Sequence, residues 1–242
     1  MHIHTVLSPC AELEMGAKEI VKKCLAEGIN IIAISDHNAT ANSLAVIEAA
    51  KGKPLTVLPA LEVQSREDIH TVCVFPYFEE ALLFQEWAWK RLAPIKNDPN
   101  LFGFQMIIDE ENNILDEVET LLIQGIDASV DDIIEEVKRR GGMSILAHVD
   151  RPAYSYLAVL GIIPPNLKID AVELSARLSS KEALTWKEQA LSYTIIRSSD
   201  AHRLSDIKRE HATPIVLKSP SFDEIALALH SQGERMVIWP WS

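Results

Sequence analysis

The chain has 242 residues, of which 48% are apolar and 24% charged, the balance of an ordinary soluble globular protein with enough length for one sizeable core. Lys and Arg number 23 against 35 Asp and Glu, a formal charge of −12, which argues against an extended nucleic-acid duplex gripped by broad neutralisation of its phosphates. No apolar run reaches the ~18 residues of a membrane span, and the opening Met1-His2-Ile3-His4-Thr5 lacks the basic and apolar stretches of a signal peptide. Three unpatterned cysteines, Cys10, Cys24 and Cys73, fit reduced thiols. The expectation is a cytoplasmic protein forming a single domain over residues 1–242.

Ala17, Ile20, Val21, Cys24 and Leu25 recur at helical spacing and stop before Gly28. Residues 29–34 are a β-branched run of the kind a strand buried on both faces carries. Leu44, Ile47 and Ala50 mark a second helix, 55–60 a second buried run and 70–75 a further strand, closed by Pro76. A helix carrying Trp87 and Trp89 follows over about 79–95. Residues 104–108, a polar turn at 109–113 and Ile114-Leu115 read as a small hairpin. Ser129 with Asp132 resembles a capping box; it opens a helix whose apolar face is Val130, Ile133, Ile134 and Val137, ended by Gly141-Gly142. Residues 143–147, 169–174 and 193–197 are three more buried strands, Ser221 caps a last helix to about Ser231, and 235–239 is a closing strand. Repeated strand–helix units of this kind predict an α/β barrel or a doubly wound sheet, with residues 78–128 as a decorated excursion within it.

Six of the eight histidines stand beside these strands. His2 and His4 flank Ile3; Asp36-His37 follows the 29–34 run; Glu62 follows Ala60; His70 opens its strand; His148 follows Ala147; Glu173 lies near a strand end; Asp200 and His202 follow 193–197. Ligands and catalytic groups of α/β folds collect at the carboxyl ends of strands, and mixtures of imidazole and carboxylate suit Zn, Mn or Fe. On a strand, residues i and i+2 point the same way, so His2 with His4, and Asp200 with His202, can each chelate one ion. Taken singly, Asp36-His37 also reads as a helix cap with a surface imidazole; the combination after successive strands is what points to a metal. His211 and His230 fall in polar or helical contexts and read as surface residues, Cys24 and Cys73 as core.

The pieces His2-Ile3-His4-Thr5, Ile34-Ser35-Asp36-His37-Asn38, Leu61-Glu62-Val63, Glu67-Asp68-Ile69-His70, Leu146-Ala147-His148 and Ser199-Asp200-Ala201-His202 resemble, in order and almost end to end, the polymerase and histidinol phosphatase (PHP) superfamily of metal-dependent phosphoesterases. The resemblance implies a distorted (β/α)7 barrel with two or three divalent ions (Zn, Mn or Fe) at the carboxyl ends of its strands. Carried over, it makes His2, His4, Glu62 and Asp200 ligands of one metal and Glu62, His70 and His148 ligands of a second, with Glu62 bridging. His37 and His202 would hold a third, where the position of a further ligand is taken by Cys10. Asp36 and Glu173 would orient ligand histidines. This chain has only Met1 before His2, where relatives carry Asp-Leu, so a short first strand is expected; and Ser8-Pro9-Cys10 stands where many relatives have Ser-Asp-Gly.

The activity so implied is hydrolysis of a phosphate ester, a small phosphorylated metabolite or a nucleotide, by a metal-bound hydroxide. Leaving-group protonation falls to a water on the third metal or to His202 if it is unligated, and phosphate recognition to Arg151, Arg177 and Arg203, with Arg66 a weaker candidate. Two competing readings keep the fold: an accessory, non-catalytic module associated with DNA polymerase or repair, and a metal-dependent amidohydrolase, which would call for a bridging lysine.

Overall fold

The computed structural model describes residues 1–189 and 193–241. Six strands make one curled sheet in the order β1 (Ile31–Ile34), β2 (Thr56–Gln64), β3 (His70–Val74), β6 (Met143–Leu146), β7 (Ala171–Ser175), β8 (Ile195–Ser198). The excursion between β3 and β6 contributes a separate hairpin, β4 (Met106–Ile108) with β5 (Ile114–Glu117), and a second small pair joins β9 (Ile215–Val216) to β10 (Met236–Val237). Helices α1 (Ala17–Ala26), α2 (Ala41–Ala49), α3 (Phe78–Trp89) and α4 (Val130–Arg139) precede β6; α5 (Tyr156–Leu160), α6 (Ser180–Gln189) and α7 (Phe222–Leu229) follow it.

The sheet departs from the regular alternation expected of a (β/α)7 barrel. β2 returns directly into β3 through a tight turn, so β3 runs antiparallel to both β2 and β6, while the remaining pairings are parallel. The expected first strand is a single residue: Ile3 forms one parallel bridge to Ile34 at one sheet edge and one to Ala201 beyond the other.

Period two along the strands decides what lies inside. Leu58 and Ala60 of β2, Val72 and Val74 of β3, Met143 and Ile145 of β6, Ala171 of β7 and Ile196 of β8 share one apolar cluster, closed at the far end by Ile225 and Leu229 of α7. Glu62, His70 and Glu173 are two residues further along the same faces. The inner surface therefore turns from apolar to ionisable along its own strands. The alternate residues pack outward: Leu61, Val63 and Cys73 against Phe84 and Ala88 of α3 and Ile133 and Val137 of α4, and Ile32 and Ile34 against Ile20, Val21 and Cys24 of α1.

Local signals explain most boundaries. Ser129 and Asp132 form a reciprocal capping box at α4, and the Ser221 hydroxyl accepts from the Glu224 N–H at α7. β2 runs on through Glu62 to Gln64, because its pairing with β3 continues to His70. The helix expected over 79–95 ends at Trp89, where Trp89 Nε1 donates to the Asn38 carbonyl. Helices α5 and α6 lacked a clear apolar period in the sequence.

Two local contacts fix the loops around this frame. Gly103 has φ +101°, and a Cβ there would lie 2.2 Å from the Pro9 carbonyl oxygen, so the excursion presses backbone to backbone on the loop that carries Cys10. Gly52, also at positive φ, faces open space. Gly103→Ala is therefore expected to lower stability by about 2–3 kcal/mol in urea denaturation, against about 1 kcal/mol for Gly52→Ala. On α7, Glu224 accepts two hydrogen bonds from Arg235 (2.6 and 2.9 Å) and one from the Lys218 N–H, which hold its carboxyl at about 2 against an ordinary 4.5. A carboxyl depressed in the folded state stabilises fully above its unfolded value and loses that contribution as pH falls. Glu224→Gln should thus lower Tm at pH 7, and the gap to the wild type should narrow as pH is taken from 4.5 towards 2.

Candidate metal centre

The reversal of β3 has a direct consequence for the site. Because it runs against its neighbours, its first residue, His70, lies at the same end of the sheet as the carboxyl ends of β2 and β6. There it meets Glu62 near the end of β2, His148 just past β6, Glu173 of β7, Asp200 and His202 past β8, His37 past β1, and His2 and His4 on either side of Ile3. His148 (φ 30°) and Asp200 (φ 45°) turn out of their strands in the left-handed region. That conformation costs a non-glycine residue on the order of 1–3 kcal/mol and concentrates at functional sites.

The side chains converge tightly. His2 Nε2 and His4 Nε2 are 3.2 Å apart and lie 3.2 and 3.0 Å from Asp200 Oδ1; Glu62 approaches the same two nitrogens at 3.3 and 3.5 Å. Glu62 Oε1 also stands 3.0 Å from His70 Nδ1 and 3.1 Å from His148 Nε2, and its Oε2 3.1 Å from His37 Nδ1. Three sets of donor atoms lie mutually within 4.8 Å: His2, His4, Glu62 and Asp200; His37, Glu62 and His70; and His4, His37 and His202. The first set is the one carried over from the sequence. In the second, His37 joins Glu62 and His70, while His148 reaches Glu62 separately; in the third, His4 completes the group with His37 and His202.

Donor atoms bound to one cation at about 2.1 Å form edges of roughly 3.0–3.4 Å in octahedral or tetrahedral geometry. In the first set the two imidazole nitrogens and Asp200 Oδ1 are separated by 3.0 to 3.2 Å, and Glu62 meets His2 through Oε1 at 3.3 Å and His4 through Oε2 at 3.5 Å. His70 Nε2 and His148 Nδ1 are buried without a hydrogen-bond partner, an arrangement that is costly for a polar core complete in itself. The residues present fit divalent cations.

Charge supports the fit. Burial opposes ionisation of Glu62, Asp200 and Glu173, yet the surrounding imidazoles, His70 and His2 for Glu62 and His2 for the other two, hold all three below their usual range. Burial pushes His4 and His70 down, which leaves each with a free lone pair at neutral pH. For His2, burial is outweighed by Glu173, Glu62 and Asp200, and its ring is raised. Burial likewise pushes the Cys10 thiol up, but hydrogen bonds with His202 and His37 outweigh it and bring the thiol to about 7. Cys10 thus stands beside both imidazoles with which the resemblance grouped it.

The supporting residues divide into two kinds. Glu173 takes His2 Nδ1 at 3.0 and 3.2 Å, the orienting role expected of it. Asp36 is fully buried and touches none of the imidazoles by hydrogen bond: it accepts from the Thr5 N–H and hydroxyl (2.7 and 2.8 Å) and from Ser8 Oγ (2.7 Å), which in turn meets His4 Nδ1 at 3.0 Å. Both its oxygens are taken, so Asp36 reaches His4 only through Ser8. Sequence reasoning missed Ser8, the link in that chain, and Tyr154, whose ring stacks on His70 with centroids 4.9 Å apart. A serine four residues after a His-x-His motif carries no signal of its own.

Beside the cluster lies a cavity of about 570 Å³ lined by Cys10, Asp200 and His202 and by Arg151, Arg177 and Arg203. Arg151 is held by Asp200 Oδ2 at 2.7 Å and Arg203 by Glu12 at 3.3 Å, whereas no ion pair of Arg177 occurs among the described residues. Arg66 turns instead to Asp132 and Asp127 on the surface. No lysine lines this cavity among the described residues.

No family model and no curated protein matches the chain. Solved structures do. Endonuclease Q of Pyrococcus furiosus, a lesion-specific endonuclease, superposes with a TM-score of 0.70 at 18% identity over 98% of this chain and 56% of that one. Endonuclease Q bound to a 27-mer duplex with an abasic lesion at its active site gives 0.67 at 17% over 98% and 57%. A protein of Bifidobacterium adolescentis assigned as a metal-dependent phosphoesterase gives 0.58 at 18% over 96% and 95%. A two-domain protein of Bacteroides vulgatus, assigned a PHP-like metal-dependent phosphoesterase, gives 0.54 at 15% over 98% and 63%. The chain shares the fold of these proteins. It spans a little over half the length of endonuclease Q, and no helix of the described residues is long and apolar enough to cross a membrane.

Cys24 and Cys73 are fully buried while Cys10 is exposed. Iodoacetamide should therefore alkylate Cys10 alone in the native protein, and added Zn should slow that reaction about tenfold or more if the thiol is a ligand. Peptide mapping by mass spectrometry reads both outcomes; an unchanged rate with Zn bound removes Cys10 from the metal centre.

Proposed function

We propose that this PHP-fold chain is a metal-dependent phosphoesterase, with the Ile3 segment as the seventh strand of a distorted barrel. The observation that carries the reading is the convergence of His2, His4, Glu62 and Asp200, with donor edges of 3.0–3.5 Å, on the inner face of the sheet. In this reading the first ion is held by those four residues and a second by Glu62, His70 and His148, with Glu62 shared; His37, His202 and Cys10 hold a third. Divalent cations there would neutralise a phosphoryl group and activate water at neutral pH.

The chain's own groups do the rest. Arg177, free of ion pairs among the described residues, offers its guanidinium to the phosphate oxygens in the bidentate manner that planar fork allows. Arg203 assists from the rim, and Arg151, tied to Asp200, fixes that carboxylate and reaches the same cavity. With the third ion absent, His202, partly exposed on the cavity wall, would be free to give a proton to the leaving oxygen; with it bound, a water on that ion would serve instead. Asp36 acts at one remove, fixing His4 through Ser8.

The substrate class is a small phosphorylated metabolite or a nucleotide. A second reading, cleavage of a phosphodiester in nucleic acid, is favoured by the likeness to endonuclease Q. An accessory module without turnover fits the completeness of the donor set less well, and amide hydrolysis lacks the lysine it would call for.

Elemental analysis of protein purified without chelators or a His-tag should find about two to three equivalents of Zn, Mn or Fe. Phosphate release from a panel of phosphomonoesters, beside cleavage of lesion-bearing oligonucleotides and of cyclic amides, separates the readings. His148→Ala and Asp200→Ala should each reduce the activity by more than about 100-fold with an unchanged far-UV circular dichroism spectrum. Less than one equivalent, not restored by adding metal, overturns the proposal.

A further inference from the structure

The loop that leaves β6 carries more than a ligand. From His148 it runs through Arg151 to Tyr154 and then into α5, capped by Ser155. It is anchored to the cluster at two points: Arg151 on Asp200 Oδ2 at 2.7 Å, and Tyr154 on His70, both by ring stacking (4.9 Å, 26° between planes) and by its carbonyl, which accepts from the His70 N–H at 3.0 Å. Ser155 Oγ closes the loop on itself by donating to the Arg151 carbonyl. Tyr154 has φ 56°, a conformation that bulky side chains rarely adopt and that persists only where the surroundings impose it.

One face of the Tyr154 ring is spent on His70, yet the residue remains 49% exposed. Covering His70 needs only an apolar side chain; a flat ring held in a strained backbone conformation and still about half exposed offers something further. The ring stands outside the arginine-lined cavity, so a phosphate at the cluster and a planar group on Tyr154 would have separate supports. Resting on the phosphoesterase reading, we propose that Tyr154 is a stacking platform that selects phosphate esters whose alcohol part carries a planar ring, as a nucleoside or an aryl alcohol does.

Equilibrium binding to the metal-loaded protein tests this independently of turnover, with AMP, phenyl phosphate and glycerol phosphate as probes. The wild type should bind at least one ring-bearing probe more tightly than glycerol phosphate. Tyr154→Leu should cut that preference about tenfold, the scale of base–aromatic stacking, while Tyr154→Phe and Tyr154→Trp keep it. A preference for AMP alone identifies a nucleoside, with the ring a ribose away from the phosphate; a preference for phenyl phosphate alone identifies an aryl ester. If Tyr154→Leu weakens all three probes equally, the ring only shields His70 and the proposal is overturned, as it is if the preference survives in that variant. Should no phosphoester be hydrolysed by the wild type while the preference still follows the ring, the phosphoesterase reading fails and the platform stands.

Discussion

The structure depends on one buried carboxylate. Glu62 is 1% exposed, and five imidazoles, those of His2, His4, His37, His70 and His148, approach its two oxygens within 3.0 to 3.5 Å. A charge so far from water is tolerable only when paired and hydrogen-bonded. Five separate chain segments must therefore be brought to one point, and the sheet is what brings them. Glu62 occupies the inner face of β2 two residues beyond Ala60, so the register that packs Leu58 and Ala60 into the core also delivers the carboxylate to the cluster. A one-residue slip in β2 would turn Glu62 outward and Leu61 inward, breaking core and site together.

The reversed strand makes this economical. A βαβ unit would put a helix between β2 and β3; the turn at residues 65–69 replaces it and sets His70 opposite Gln64, within 3.0 Å of Glu62. The same turn leaves β3 antiparallel to β6, whose end then brings His148 to the same oxygen. Two of the approaches to Glu62 thus come from a departure from regular barrel topology. The Asp36 carboxylate plays the matching part on the other side, since its bonds to Thr5 and Ser8 fasten the His-x-His segment to the end of β1.

Much of the site was legible because its chemistry falls at strand ends, and strands declare themselves by β-branched runs. His2, His4, Glu62, His70, His148 and Asp200 stood out beside strands, the resemblance grouped them as ligands, and their donor atoms do meet. The reversal of β3 was not legible, since a buried strand has the same composition whichever way it runs. Nor was the identity of partners within the cluster: that His4 groups with His37 and His202 depends on the stacking of His4 on His202, with centroids 4.2 Å apart, a contact between chain ends almost two hundred residues apart. Ser8 and Tyr154 stayed hidden for a related reason, as their roles come from what they touch rather than from their own chemistry. Helix α4, by contrast, was readable to the residue because its cap and its apolar face are both local.

Net charge is the least local property of all, and its meaning changes at the site. A charge of −12 weakens sequence-independent attraction to any polyanion, yet Arg151, Arg177 and Arg203 line one cavity of about 570 Å³ beside the cluster. Screening shortens the reach of the acidic surface to about 10 Å at ordinary ionic strength, so a single phosphate at that mouth meets the local groups rather than the total: the three guanidinium groups, of which Arg151 and Arg203 are already paired, and the carboxylates of Asp150, Asp200 and Asp206 that share the lining. The acidic balance therefore bears on how long a polyanion the protein can hold, and not on whether it can hold one phosphate.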